Sequence, residues 1–276
     1  MSNSALYFST AACWLTVCAL AWQASRTAHA GHPVSLGALR AEGILVPAAL
    51  VLHGMLIFYT VTVAEGLDLG VGNAISLLAW LAALVYGFAR LVYPGLATLQ
   101  GIIAPVALVA VLLQVGLTSR HIVNYEGAPL FTAHLAIAML AYSLFIVATI
   151  HALMMLALEK WLKRGTLPPM FRNLPPLLEM EALLFRILLA AFVLLTLTLI
   201  TGVFFSEELF ARPFSFTHKI VFGVISWIVY GALLAGHFVR GWRGRIAVYW
   251  TIAGFALLLL SYVGSKFVLE IILKRG

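Results

Sequence analysis

Five histidines stand inside or at the edges of long apolar runs: His53, His134, His151, His218 and His237. An imidazole in hydrocarbon is costly, so each marks either a function or a satisfied polar contact. Neutral imidazole is a standard axial ligand for haem iron, and two on facing helices can hold one haem between them. The bland alternative is an interhelical hydrogen bond, worth about 0.6 kcal/mol in a membrane core. For one histidine alone the bland reading is preferred. Five in one bundle leave both readings open. His29 and His32 fall in a polar stretch and read as solvated.

Other chemistries find little support. The two cysteines, Cys13 and Cys18, are not spaced as CxxC. Five residues apart on a helix they diverge by about 140°, so they read as small buried apolar side chains. No dinucleotide fingerprint, P-loop, zinc-protease helix or nucleophile elbow occurs. Bond-making catalysis by the chain itself is therefore not expected. Met139, Met154 and Met155 read as core fillers. Trp227, Trp242, Trp250 and Tyr142 read as packing or interfacial aromatics.

The elements that must position these histidines follow from composition. Of 276 residues 63% are hydrophobic and only 10% charged, with a mean hydropathy of +1.05. A soluble domain needs far more polar surface. The apolar runs are each near the roughly 20 residues that cross a bilayer as a helix. Spans are predicted over 4–22, 44–63, 71–91, 97–117, 131–158, 183–204, 216–238 and 246–272. Pro105 is expected to kink the fourth. Residues 23–43, 118–130 and 159–182 read as polar loops, the last with two Pro-Pro pairs. The expectation is an all-α polytopic membrane bundle of about eight transmembrane helices, forming a single domain over 1–276.

The net charge of +7 reads as an orientation signal and a contact with lipid headgroups, so nucleic acid is not an expected partner. Lysine and arginine concentrate in the loops at 23–43, 90, 159–182 and 240–245. Placing these in the cytoplasm puts both termini outside. His134 and His218 then lie near the outer ends of the fifth and seventh spans. His151 and His237 lie about 25 and 28 Å deeper at 1.5 Å per residue, with His53 between the two levels. The same helix geometry turns the side chain by about 260° between His134 and His151, but by about 100° between His218 and His237. At most one level can therefore pair across a straight interface of these two helices.

Three stretches resemble a known family. PPLLEMEALLFRILLAAFVLLTLTLITGVFF (175–205), HKIVFGVISWIVYGALLAGHFVRGWRGRIAVYWTIAGF (218–255) and AHLAIAMLAYSLF (133–145) are similar to the integral-membrane cytochrome c assembly family. The match is best over 131–272 and looks most like its YpjD- and HemX-like branch. The resemblance implies an inner (plasma) membrane protein that carries haem during cytochrome c maturation, with haem b as cofactor and other maturation proteins as partners. It implies an external histidine at His134 and an in-membrane haem ligand at His237. Glu181, Arg186, Thr196, Gly202, Trp227, Gly241, Trp242 and Gly244 match positions that look structural in the family. The chain departs from the pattern twice. The tryptophan-rich external segment is replaced by FFSEELFARPFSFTHK (204–219), and no second external histidine occurs over 261–267.

The leading expectation is thus a haem-handling membrane protein with His237 as principal ligand. His53 or His151 is the expected in-membrane partner, and His134 with His218 an outer site. The alternative is a non-haem membrane adaptor whose histidines only join helices, and the missing tryptophan-rich segment favours it. A small-solute transporter ranks last, because intramembrane carboxylates are nearly absent.

Overall fold

In the computed structural model, the described residues are 3–29, 36–64, 66–92, 100–123, 129–168, 174–210 and 218–261. Among them eight helices occur: α1 Asn3–His29, α2 Leu36–Val61, α3 Val71–Val92, α4 Gln100–Gly116, α5 Pro129–Lys163, α6 Leu177–Phe210, α7 His218–Arg240 and α8 Arg245–Leu259. Six (α1, α2, α3, α5, α6 and α7) are long and apolar enough to cross a bilayer, whereas α4 and α8 are shorter apolar helices. The chain is a polytopic helical membrane protein. In hydrocarbon a chain must satisfy its backbone internally, and each apolar run does so as a helix.

Several helices outrun their apolar spans. Residues 23–43, expected as a loop, instead extend α1 to His29 and start α2 at Leu36. The Ser25 and Thr27 hydroxyls bond to carbonyls of Trp22 and Gln23 on their own helix, so polar residues continue it past the apolar run. His29 ends α1, and His32 lies outside the described residues. Likewise α5 continues to Lys163, whose ammonium pairs with Glu159 one turn earlier at 2.6 Å. Pro105 lies within α4, which is helical on both sides of it.

The chain forms two compact units, 1–123 with 157–176, and 124–156 with 177–276; α5 contributes to both. In the first unit α1 packs on α2 and α4, and α3 packs on α2 and α4. Small residues make this close approach possible: Ala74, Ala79, Ala82 and Ala83 of α3, and Ala104, Ala107 and Ala110 of α4, are buried.

One end of this unit holds a feature the sequence did not suggest. Three very short strands, β1 Thr62–Val63, β2 Gly66–Asp68 and β3 Ile122–Val123, pair antiparallel in the order β1-β2-β3. Thr62 faces Leu67, and Asp68 faces Ile122. The buried Asp68 carboxylate accepts the backbone N–H groups of Gly70 and His121, at 3.1 and 2.9 Å. Asn73 donates to the Thr60 and Asp68 carbonyls, and Gln114 donates to Thr60 Oγ1 and Asn73 Oδ1. A Cβ at Gly70 would overlap the Ser119 carbonyl oxygen. Gly70→Ala is therefore expected to cost about 3 kcal/mol through overpacking against backbone. A lower melting temperature in detergent checks it, and an unchanged one would show that the Ser119 backbone yields.

The second unit holds α6, α7, α8 and most of α5. Tyr230 of α7 lies over Gly254 of α8, where a Cβ would meet the ring at 2.7 Å. Its hydroxyl donates to the Thr251 carbonyl, and Phe145 of α5 stacks on its ring at 4.1 Å. Ser226 donates to the Gly254 carbonyl and Tyr142 to that of Leu258. Trp227 donates its indole N–H to Thr196 Oγ1 of α6 and stacks on Phe192. The aromatics expected as packing residues are thus polar fasteners as well.

Candidate functional site

His237 is held by the way α7 ends. Gly241 has φ +66°, the left-handed conformation that terminates helices and that glycine adopts without a Cβ penalty. Its N–H bonds back to the His237 carbonyl, and the next N–H, of Trp242, reaches the Gly236 carbonyl, both at 3.1 Å. The reversal brings the Trp242 carbonyl to 2.9 Å from His237 Nδ1. A carbonyl only accepts, so Nδ1 carries the proton and the ring lone pair lies on Nε2. The imidazole stacks on Phe185 of α6 with centroids 3.5 Å apart, and Phe238 meets its edge. Among the described residues, no protein group hydrogen-bonds Nε2. The Trp242 indole lies against Gly236, where any Cβ would overlap it.

His151 follows the same logic on α5. Its Nε2 is 2.9 Å from the Met180 carbonyl of α6 and must donate. The lone pair then sits on Nδ1, which is buried and has no hydrogen-bond partner among the described residues. A buried acceptor without a donor costs about 1–3 kcal/mol, so it calls for a ligand, a water or another account.

His134 lies at the other end of this unit. Its Nδ1 is 2.7 Å from Thr201 Oγ1. That hydroxyl also stands 2.7 Å from the Leu197 carbonyl. Phe131 stacks beside the ring. Gly202 of α6 faces the ring, and a Cβ there would stand in contact with His134 Cε1 at 3.4 Å. Helix α6 is a ruler for depth. His151 and His237 meet it at Met180 and Phe185, and His134 at Thr201, about 24 Å beyond Phe185. His218 opens α7, with its side chain outside the described residues.

His53 belongs to the first unit and is fully buried on α2. The Trp14 indole N–H donates to its Nδ1 at 3.2 Å, and its Nε2 lies 2.9 Å from Ser76 Oγ. Indole can only donate, so the Nδ1 lone pair is engaged and Nε2–H donates to serine. To hold iron, His53 would first have to release Trp14 or Ser76.

Two of the five histidines, His151 and His237, therefore share one design. Each gives its N–H to a protein oxygen and keeps its lone pair on the other nitrogen. That is how metal-ligating histidines are oriented by their surroundings. His53 departs from it. The supporting oxygens of Thr201, Met180 and Trp242, and the Phe185 ring, were not singled out as site residues from sequence. The only available signals were the helix-ending Gly241 and the family-like positions of Trp242 and Gly202. The two cysteines are unpaired, and Cys13 instead lies 3.6 Å from the Leu45 carbonyl.

The family model for the cytochrome C assembly protein matches residues 43–273, reaching well beyond the C-terminal stretch that carried the resemblance. Inner membrane protein YpjD of Escherichia coli (strain K12) is 34% identical over 166 residues, 60% of this chain and 62% of that relative. Cytochrome c biogenesis protein CcsA of Prochlorococcus marinus (strain MIT 9515) is 38% identical over 89 residues, 32% of this chain and 28% of that relative. The matched part thus spans under two thirds of either relative's length. With a model match across most of its length and six apolar spans, this multi-pass membrane protein belongs to the cytochrome C assembly family.

Proposed function

We propose that the protein binds haem b within the inner (plasma) membrane and handles it during cytochrome c maturation. The observation that carries this reading is His237. It donates Nδ1–H to a backbone carbonyl and directs its lone pair through Nε2, with Phe185 carrying the ring. The unpartnered Nδ1 of His151 adds a second imidazole of the same kind, this one buried. A set of neutral imidazoles suits haem iron. With no CxxCH in the chain, the haem would be held by its axial ligands and packing, not by thioether bonds.

His237 is the principal ligand in this reading and His151 its in-membrane complement. His134, together with His218, supplies an outer site. Haem, when bound, supplies an iron that cycles between ferrous and ferric. The chain's own part is to orient imidazoles and keep water from them; it breaks no bond by itself. Other cytochrome c maturation proteins are the partners this role requires, and the CcsA relative supports that setting. A non-haem adaptor is the second reading, favoured by the tryptophan-free stretch 204–219.

Absorbance of the detergent-purified protein, oxidised and dithionite-reduced, separates the two. A Soret band that shifts and sharpens on reduction is expected. A colourless protein that gains no band on titration with hemin would leave the adaptor reading standing.

A further inference from the structure

We infer that Glu181 is a positioning residue for His237, acting through the turn that joins α7 to α8. This rests on the haem reading above and deepens it. Glu181 Oε2 accepts the backbone N–H of Gly244 at 2.9 Å. Gly244 has φ +60°, so both glycines of Arg240-Gly241-Trp242-Arg243-Gly244-Arg245 are left-handed. Such a turn has no helical ladder to hold its shape. It is held at its two ends instead. At the near end the N–H groups of Gly241 and Trp242 tie it to the His237 and Gly236 carbonyls of α7. At the far end the Glu181 carboxylate ties Gly244 to another helix, α6. The Trp242 carbonyl that takes the His237 Nδ1 proton lies between these two anchors.

Glu181 is also placed for this task on α6. Phe185, which stacks on the imidazole, is four residues further on, so the two share one helix face. One face of α6 thus supplies the ring that carries His237 and the carboxylate that holds its hydrogen-bond acceptor. The bond to Gly244 is charge-assisted, about twice as strong as a neutral one. A held Nδ1–H···O=C bond fixes the tautomer and makes the Nε2 lone pair more basic. Without Glu181 the turn loses its far anchor, the carbonyl drifts, and the imidazole becomes a weaker, less well-aimed ligand.

The test uses the full-length protein in detergent, with hemin titration and a spectroelectrochemical midpoint for each variant. Glu181→Ala should weaken hemin binding by about 10- to 100-fold, the usual cost of losing such support, and should raise the midpoint. Glu181→Gln keeps an oxygen for Gly244 N–H and should restore both towards wild type. In Glu181→Ala/His237→Ala the first change should add nothing to the second, since its effect passes through the imidazole. If Glu181→Ala does not fold, Glu181→Asp, one methylene too short to reach, takes its place. A wild-type midpoint and affinity in Glu181→Ala, or a full additive loss in the double variant, overturns the inference while His237 remains a ligand. Hemin titration of His237→Ala identical to wild type would instead remove the haem reading beneath it.

Discussion

Replacing His237 by alanine is expected to weaken hemin binding by more than about 100-fold, beyond what the loss of a supporting hydrogen bond costs. The Soret band of the purified protein should fall with it. The change removes the one imidazole whose tautomer, ring stacking and lone-pair direction are all set by neighbours on α6 and the α7–α8 turn. It leaves the rest of that turn intact. The bonds from Gly241 and Trp242 to the α7 carbonyls, and from Gly244 to Glu181, involve no imidazole. Fold and binding should thus separate, with near-normal melting and lost colour. Free imidazole added to His237→Ala should enter the space left by the side chain and restore part of the band. An unchanged spectrum in this variant would mean that the haem, if any, is held elsewhere.

His53→Ala should do the reverse. His53 is fully buried, so the variant leaves a cavity between α1, α2 and α3, together with an unpaired Trp14 N–H and Ser76 hydroxyl. Cavity formation dominates. Truncating a large buried side chain to alanine costs about 2–5 kcal/mol, while each hydrogen bond in a membrane core contributes only about 0.6 kcal/mol. A loss of about 3 kcal/mol is expected, read as a lower melting temperature, with hemin affinity unchanged once the protein is folded. Ser76→Ala should show a smaller loss, since it creates little cavity. If His53→Ala instead lost the Soret band while melting normally, His53 would have to be the in-membrane partner and its bond to Trp14 a resting state. His53 and His151 could not be told apart from sequence, because both are single histidines deep in apolar helices. In the structure, both nitrogens of His53 are engaged, while Nδ1 of His151 has no partner among the described residues.

Much of the architecture was legible in the residues. The apolar runs became helices, eight of them among the described residues and six long enough to span, because hydrocarbon leaves the backbone almost no alternative. The two depths of histidine were also legible, since helix rise is constant, and they reappear as contacts at opposite ends of α6. The misreadings came from polar segments. Residues 23–29 continue α1 because Ser25 and Thr27 satisfy their hydroxyls on their own backbone. The strands around Asp68 are two or three residues long, too short for alternation to register.

The amino-acid sequence by itself determined that this chain is a helical membrane protein of its family, and that His134 stands far along the bundle from His151 and His237. Only the tertiary structure decided which of them offers a lone pair. That choice rests on oxygens such as the carbonyls of Met180 and Trp242. Every residue has a backbone carbonyl, so none is marked in the sequence, and only the folded chain brings a particular one to a particular ring nitrogen.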